Sequence, residues 1–302
     1  MYRAELAYYQ GDMMQAEILA YKASHLAKSK KQYTLQMGVA FLLAYLSLFK
    51  SDVIGWQQAL DSLEQAAACA GQNTNIIMKM LDISYAILMN EVTQNDRIAA
   101  WIKNDDFGIL LFPMQWTANY AYLTYLLNIE NYTHTIGLAE AALLESGQHN
   151  LMYRLHLHMI MATSYLALQN REKALENLSI ATNMALADKL YTIFATYAWR
   201  LGDLMHDFLK QKYPALVPDI NELIKRFTMG QNTLKSTFHA KIPSDLTKRE
   251  YEIAKLAAQG LRNKEIAEKL FIAETTVRTH LKTVFQKLEI DRRTKLMDYF
   301  KS

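Results

Sequence analysis

Four prolines and ten glycines in 302 residues leave little of the punctuation that the turns of a β-sandwich or barrel require. Helical patterning should dominate. The lone cysteine, Cys69, excludes an internal disulfide. Its neighbours Ala66, Ala67, Ala68 and Ala70 predict a small buried hydrophobe on a helix. Such sparing use of cysteine suits a reducing cytoplasm. No apolar run reaches the roughly 20 residues needed to cross a bilayer. The longest, Met37 to Phe49, has thirteen and reads as a helix buried on most sides. The start, Met1-Tyr2-Arg3-Ala4-Glu5, lacks the basic-then-apolar order of a secretory signal. A cytoplasmic protein with no membrane partner is expected.

Catalytic signatures are missing as well. The chain has no GxxxxGK[ST] phosphate loop and no HExxH, GxSxG or GxGxxG. Nothing before residue 240 alternates strand and helix as a phospho-receiver domain does. His156 and His158, two apart on a helix, point to different sides and make a poor metal pair. The expectation is a protein that is not an enzyme, with no cofactor and no metal.

What is present begins with apolar content and uneven charge. Hydrophobic residues make up 51% of the chain, enough for a sizeable core. The net charge of +3 hides an asymmetry: residues 241–302 carry 14 Lys and Arg against 9 Asp and Glu, while residues 1–240 carry 19 against 21. The basic excess sits in the last fifth, as it should if that part meets a polyanion.

Residues 1–228 read as helical hairpins. After Gly11-Asp12, small residues recur at Ala16, Ala20 and Ala23, a spacing that lets helices approach closely. The same device returns at Ala59, Leu63 and Ala66; at Thr135, Ala139 and Ala142; and at Ala174, Leu178 and Ala181. The anchors Ala16, Ala59, Thr135 and Ala174 stand 43, 76 and 39 residues apart. If 76 spans two periods, a degenerate hairpin lies near Ala99, after the turn Gln94-Asn95-Asp96. About five hairpins of roughly forty residues describe a superhelical array. The pattern is similar to tetratricopeptide repeats. Met1–Tyr9 makes a short opening helix whose outward face has no preceding repeat, so an upstream segment, a partner or a second copy is expected there. Sixteen of the 18 tyrosines precede residue 220. Array packing explains most of them, and a Tyr-lined ligand groove is the sharper alternative.

Pro214 and Pro218 end the array, and Asp219 to about Thr228 adds an amphipathic helix with Ile220, Leu223, Ile224 and Phe227 on one stripe. Gly230-Gln231-Asn232 and Pro243-Ser244 then mark a linker at 229–244, ahead of a domain at 245–302. There, Thr247-Lys248-Arg249-Glu250 forms a capping box, Gly260 closes the first helix, Asn263 to Leu270 makes a second, and a third runs from about Glu274 to Leu288. Val277, Leu281, Val284 and Leu288 form the third helix's inward stripe. Thr275, Arg278, Thr279, Lys282 and Gln286 form the opposite one, with no carboxylate. Such a face fits the major groove of B-DNA, where Arg and Lys read guanine and Thr meets the thymine methyl.

Residues 246–293, including Leu246, Thr247, Arg249, Glu250, Gly260, Asn263, Lys264, Glu265, Thr276, Val277, Arg278, His280 and Lys287, resemble the LuxR/FixJ-type DNA-binding domain. That resemblance implies an all-α, four-helix helix-turn-helix domain bound to double-stranded DNA. It places Arg278, Thr279 and Lys282 at bases. Asn263, Lys264, Thr276, His280 and Lys287 fall at phosphates, and Arg262 joins them as an ionic substitute for the family's usual serine. Leu296 and Phe300 on the last helix would pair two copies on DNA, and RNA polymerase is a further partner of such regulators. Two departures stand out: Arg262 and Ala273 replace helix-capping serines, a loss of about 1 kcal/mol per helix. Helical repeats ahead of such a domain resemble MalT-like regulators, although the ATPase module of that family is absent from these residues. The expected function is a transcription regulator controlled by a small-molecule or protein inducer on the array. The alternative is an interaction adaptor whose terminal helices dock a protein.

Overall fold

A recurring two-residue turn organises the first two thirds of the chain. Gly11, Ser51, Glu130 and Gln169 adopt φ of 87°, 55°, 61° and 61°, and each is followed by an Asp or Asn. The left-handed residue ends one helix. The acidic or amide side chain then caps the next: Asp12 accepts from the Gln15 N–H at 2.9 Å, Asp52 from Gly55 at 2.8 Å and Asn170 from Lys173 at 3.1 Å. The helices begin with α1 (Tyr2–Tyr9), α2 (Met13–Ser29), α3 (Tyr33–Lys50), α4 (Val53–Cys69), α5 (Thr74–Glu91), α6 (Ala100–Lys103), α7 (Phe112–Asn128) and α8 (Tyr132–Ser146). They continue with α9 (Leu151–Ala167), α10 (Arg171–Ala187), α11 (Thr192–Lys212) and α12 (Val217–Lys241). The last three are α13 (Lys248–Ala258), α14 (Asn263–Leu270) and α15 (Glu274–Lys287).

The computed structural model describes all residues except 71–73, 94, 109, 147–149, 242–245, 247, 271, 289, 291 and 297–302. Among the described residues there are fifteen α-helices and no strand, and the chain divides into units Met1–Thr233 and Leu234–Ser302.

In the first unit most helices pack on their sequence neighbours, and the small-residue anchors are buried. Ala16, Ala59, Thr135 and Ala174 are all buried, as are Ala20, Leu63, Ala139 and Leu178 one turn later. Helix α3 is apolar and long enough to cross a membrane by length and composition alone, but most of it is buried inside the unit. Its residues from Met37 to Phe49 pack against α2, α4 and α5.

Several expectations need correction. No hairpin is anchored near Ala99: this residue caps the four-residue α6, and the chain reaches α7 without a full second helix. Cys69 is exposed. It sits about 120° around α4 from the buried Leu63, too far from the seam that holds Ala66 and Ala67. The expected linker from residue 229 is helical as far as Lys241, because α12 continues through it. Gly230 serves close packing there, and the buried Gln231 donates to the Glu91 carbonyl at 3.0 Å and to its carboxylate at 3.1 Å. The rest of the expected linker and Thr247 of the expected capping box lie outside the described residues.

Helix α1 is better covered than its position suggested. Ala4, Ala7 and Tyr8 are buried, α1 meets α11, and the Thr192 hydroxyl donates to the Tyr9 carbonyl at 3.4 Å. Tyr2 and Leu6, with Met14, Ile18 and Tyr21 on α2, remain exposed. The stripe Ile220, Leu223 and Phe227 of α12 is buried as its periodicity predicts. Phe227 packs on Phe49 with ring centroids 5.1 Å apart, and Leu223 touches Gly11. One turn on, Gly230 lies so close to α3 that a Cβ would overlap the Leu48 carbonyl. Gly230→Ala should therefore destabilise the first unit by about 1–3 kcal/mol. Gly137→Ala, in a helix with open space around it, should stabilise by about 0.5–1 kcal/mol. Urea titrations of the two variants followed by circular dichroism check the opposite signs.

Candidate nucleic-acid interface

Helices α13, α14 and α15 pack around Ile253, Ala257, Ile266, Val277, Leu281 and Val284, all buried. The inward stripe of α15 is thus the one its periodicity predicts. Its opposite face is open: Thr275, Arg278, Thr279, Lys282 and Gln286 are exposed, so the three expected base-contacting residues share one accessible stripe. Gly260, at φ 91°, ends α13 in the left-handed region, and the Leu261 N–H reaches back to the Leu256 carbonyl.

The two departures from serine caps have different outcomes. At the start of α14, Glu265 accepts from the backbone N–H of Arg262 at 2.6 Å, so half of a capping box survives. At the start of α15, Ala273 provides no side-chain cap. Arg278 pairs with Glu274 at 3.2 Å, a carboxylate one turn below the stripe. With Arg278 72% exposed, that pair is worth about 0–1 kcal/mol. A bidentate base contact at about 1–3 kcal/mol would outcompete it.

The residues expected at phosphates fall into two groups. Arg262, Lys264 and Thr276 are exposed and His280 is half-buried. Lys287 and Asn263 already have partners. Lys287 donates to the buried Glu250 carboxylate at 2.7 Å, linking α15 to α13. Moving Lys287 to a phosphate would take a cation from a carboxylate only 7% exposed, which disfavours that exchange. Asn263 accepts from Arg293 at 2.7 Å. Arg293 also donates to the Leu261 carbonyl and, at 3.4 Å, to the Ala257 carbonyl. It ties the end of α13 and the start of α14 to the 3-10 turn Arg293–Lys295. Burial lowers its pKa from the ordinary guanidinium value, but the group stays charged. No local pattern signals this role for Arg293, because its partners lie 30 to 36 residues away. Leu296 is fully buried in this unit's core, which removes it from the surface a second copy could touch. Phe300 lies outside the described residues.

The Tyr-rich array also contains a cavity of about 240 Å³, lined by residues of every odd-numbered helix from α1 to α11. A hydrogen-bond network backs it. The Tyr45 hydroxyl donates to Glu91 at 3.1 Å, and the Tyr197 hydroxyl lies 2.9 Å from His156 Nδ1. Burial holds His156 neutral by pulling its pKa down to about 4. His158 is engaged separately, 2.9 Å from the Asn177 amide oxygen. No cluster of metal-ligating side chains is found among the described residues.

A three-helix core with an exposed polar third helix defines the second unit as a helix-turn-helix DNA-binding domain. Residues 244–300 match the family described as "Bacterial regulatory proteins, luxR family", so the chain carries a LuxR-type helix-turn-helix at its C-terminal end. The chain is 33% identical over 133 residues to the "Uncharacterized transcriptional regulatory protein YxjL" of Bacillus subtilis, covering 40% of this chain and 60% of that relative. It is 36% identical over 94 residues to the "Transcriptional regulatory protein LiaR" of the same organism, covering 27% and 44%. Over 80 residues it is 38% identical to the "Oxygen regulatory protein NreC" of Staphylococcus carnosus, covering 26% and 35%. The chain thus spans between about a third and three fifths of these relatives. No solved structure matches it.

Two substitutions probe how this unit is held. Ala273→Ser should stabilise the start of α15 by about 1 kcal/mol through a new cap. Arg293→Ala should cost about 2–3 kcal/mol by leaving two carbonyls and Asn263 without their donor. Hydrogen exchange of the α15 amides in the full chain should slow in the first variant and accelerate in the second.

Proposed function

We propose that this chain is a sequence-specific DNA-binding transcription regulator of MalT-like organisation. Helix α15 would enter the major groove, and a signal on the helical array would control DNA binding. The observation that carries this reading is the exposed stripe Arg278, Thr279 and Lys282, backed by a packed face in a LuxR-type unit. In the proposed complex those three side chains meet base edges. Arg262, Lys264, Thr276 and His280 hold phosphates, and Asn263 and Lys287 chiefly position the helices. Two copies bind two half-sites, RNA polymerase is the downstream partner, and the chain acts in the cytoplasm.

Control by the array is supported by connectivity. Tyr45 lines the cavity, its hydroxyl bonds Glu91, and Glu91 accepts from Gln231 on α12, the helix that leads into the second unit. A ligand that shifts Tyr45 therefore has a covalent and hydrogen-bonded route to the segment before the DNA-binding domain. Coupling of this kind is reciprocal, so operator DNA must change ligand affinity by the same factor.

Selection of bound duplexes from a random pool, with the full chain and with an Arg278→Ala/Lys282→Ala variant, tests the DNA reading. Enrichment of a motif with two half-sites is expected. Each base contact removed should cost about 1–3 kcal/mol, so the double variant should lose the motif. No enrichment by the folded full chain at low salt would move the assignment to the interaction adaptor.

A further inference from the structure

The cavity of the array offers an unusual set of groups. Its walls include the rings of Tyr8, Tyr9, Tyr45, Trp116, Tyr120 and Tyr153, and among the described residues its one lining carboxylate is Glu5. Among the described residues, no Lys or Arg lines it. Two of the aromatic hydroxyls are committed to protein partners. Tyr45 donates to Glu91 at 3.1 Å, and Tyr153 accepts from Asn119 at 2.6 Å. What the walls present is therefore mainly aromatic surface. His156 adds no positive charge, since burial keeps it neutral.

Nearby charges point the same way. Glu5 is partly desolvated, which raises its pKa, while the Met1 ammonium lowers it. A cation brought beside this carboxylate would offset the desolvation. Glu91 accepts from the Tyr45 hydroxyl outside the lining, and its charge raises the pKa of Tyr8, Tyr45 and Tyr120. Arg200, which donates to Asn128, shares the neighbouring pocket with Glu91 and offsets its charge, so Glu5 is the carboxylate that acts on the cavity itself. An anion entering the cavity would meet a carboxylate and the negative faces of rings. An organic cation would meet both favourably.

We propose that this cavity binds a small organic cation, an amine or quaternary ammonium carrying an apolar body, held by the aromatic walls and by Glu5. The size is suitable: a cavity of about 150 Å³ takes benzene, so about 240 Å³ admits a benzyl-sized cation. The proposal rests on the array being the signal-binding part of the regulator, and it specifies the chemistry of the signal.

The test is calorimetric titration of the full chain with benzyltrimethylammonium, its carbon isostere neopentylbenzene and the anion phenylacetate. The cation should bind at least tenfold more tightly than either of the others. Glu5→Gln should weaken the cation severalfold and leave the isostere unchanged. Tyr9→Leu, which removes a half-buried ring, should weaken the cation as well; circular dichroism confirms that both variants fold. Equal or tighter binding of the isostere or the anion would overturn the proposal. So would a cation affinity that neither substitution changes, or no binding of any probe to the folded chain at millimolar concentration. Operator binding, measured separately, distinguishes the two assignments. A chain that binds operator but not the cation remains a regulator without this site. A chain that binds the cation but not operator keeps the site and loses the regulatory role.

Discussion

The contact between α12 and the ends of α3 and α5 is the constraint on which much of the first unit depends. Gly230 brings the α12 backbone against the Leu48 carbonyl, where any side chain would collide. That approach buries Phe227 on Phe49 and places Gln231 on Glu91. Leu223, two turns earlier, fills the turn at Gly11. One helix thereby touches the C-terminal ends of α1, α3 and α5, whose other residues line the cavity. A row of hairpins would otherwise leave those ends uncovered. The polar member of the contact, Gln231, is buried and satisfied, so α12 is held by directional bonds as well as by apolar area.

In the second unit, energetic differences separate residues that hold the helices from residues free to act. Glu250 and Lys287 join α13 to α15 in a part-buried pair, and Arg293 bridges two helix ends and the following turn. Breaking such contacts costs more than an exposed phosphate contact returns. Arg278 and Lys282 have no comparable commitment: the first is mostly exposed in a weak pair, and the second is exposed. The residues proposed to read DNA are therefore the ones the unit can spare. The uncapped start of α15 at Ala273 leaves this helix dependent on its packed face.

Much of this organisation could be read along the chain. Periodic anchors such as Ala16, Ala59 and Ala174 marked the seams, and Val277, Leu281 and Val284 marked the inner face of α15. These signals are local, because an i, i+3, i+4 pattern is visible within one helix. Ala99 had no such pattern behind it, only a spacing argument, and the structure has a short α6 there instead. Gly230-Gln231-Asn232 looked like a linker because glycine and amides usually punctuate. A glycine pressed against another helix has the same sequence appearance as one in a turn.

The sequence by itself determined the all-α class, the helix faces and the basic helix-turn-helix, since each follows from residue type and helical spacing. Only the tertiary structure decided that α1 meets α11 and that α12 seats on α3 and α5. It alone gathered rings from four helices around Glu5, and it alone bound Lys287 and Asn263 to distant partners. Those outcomes depend on pairs such as Tyr45 with Glu91, Gly230 with Leu48 and Glu250 with Lys287, separated by 46, 182 and 37 residues. No local period encodes such pairs; only the three-dimensional path of the chain selects them.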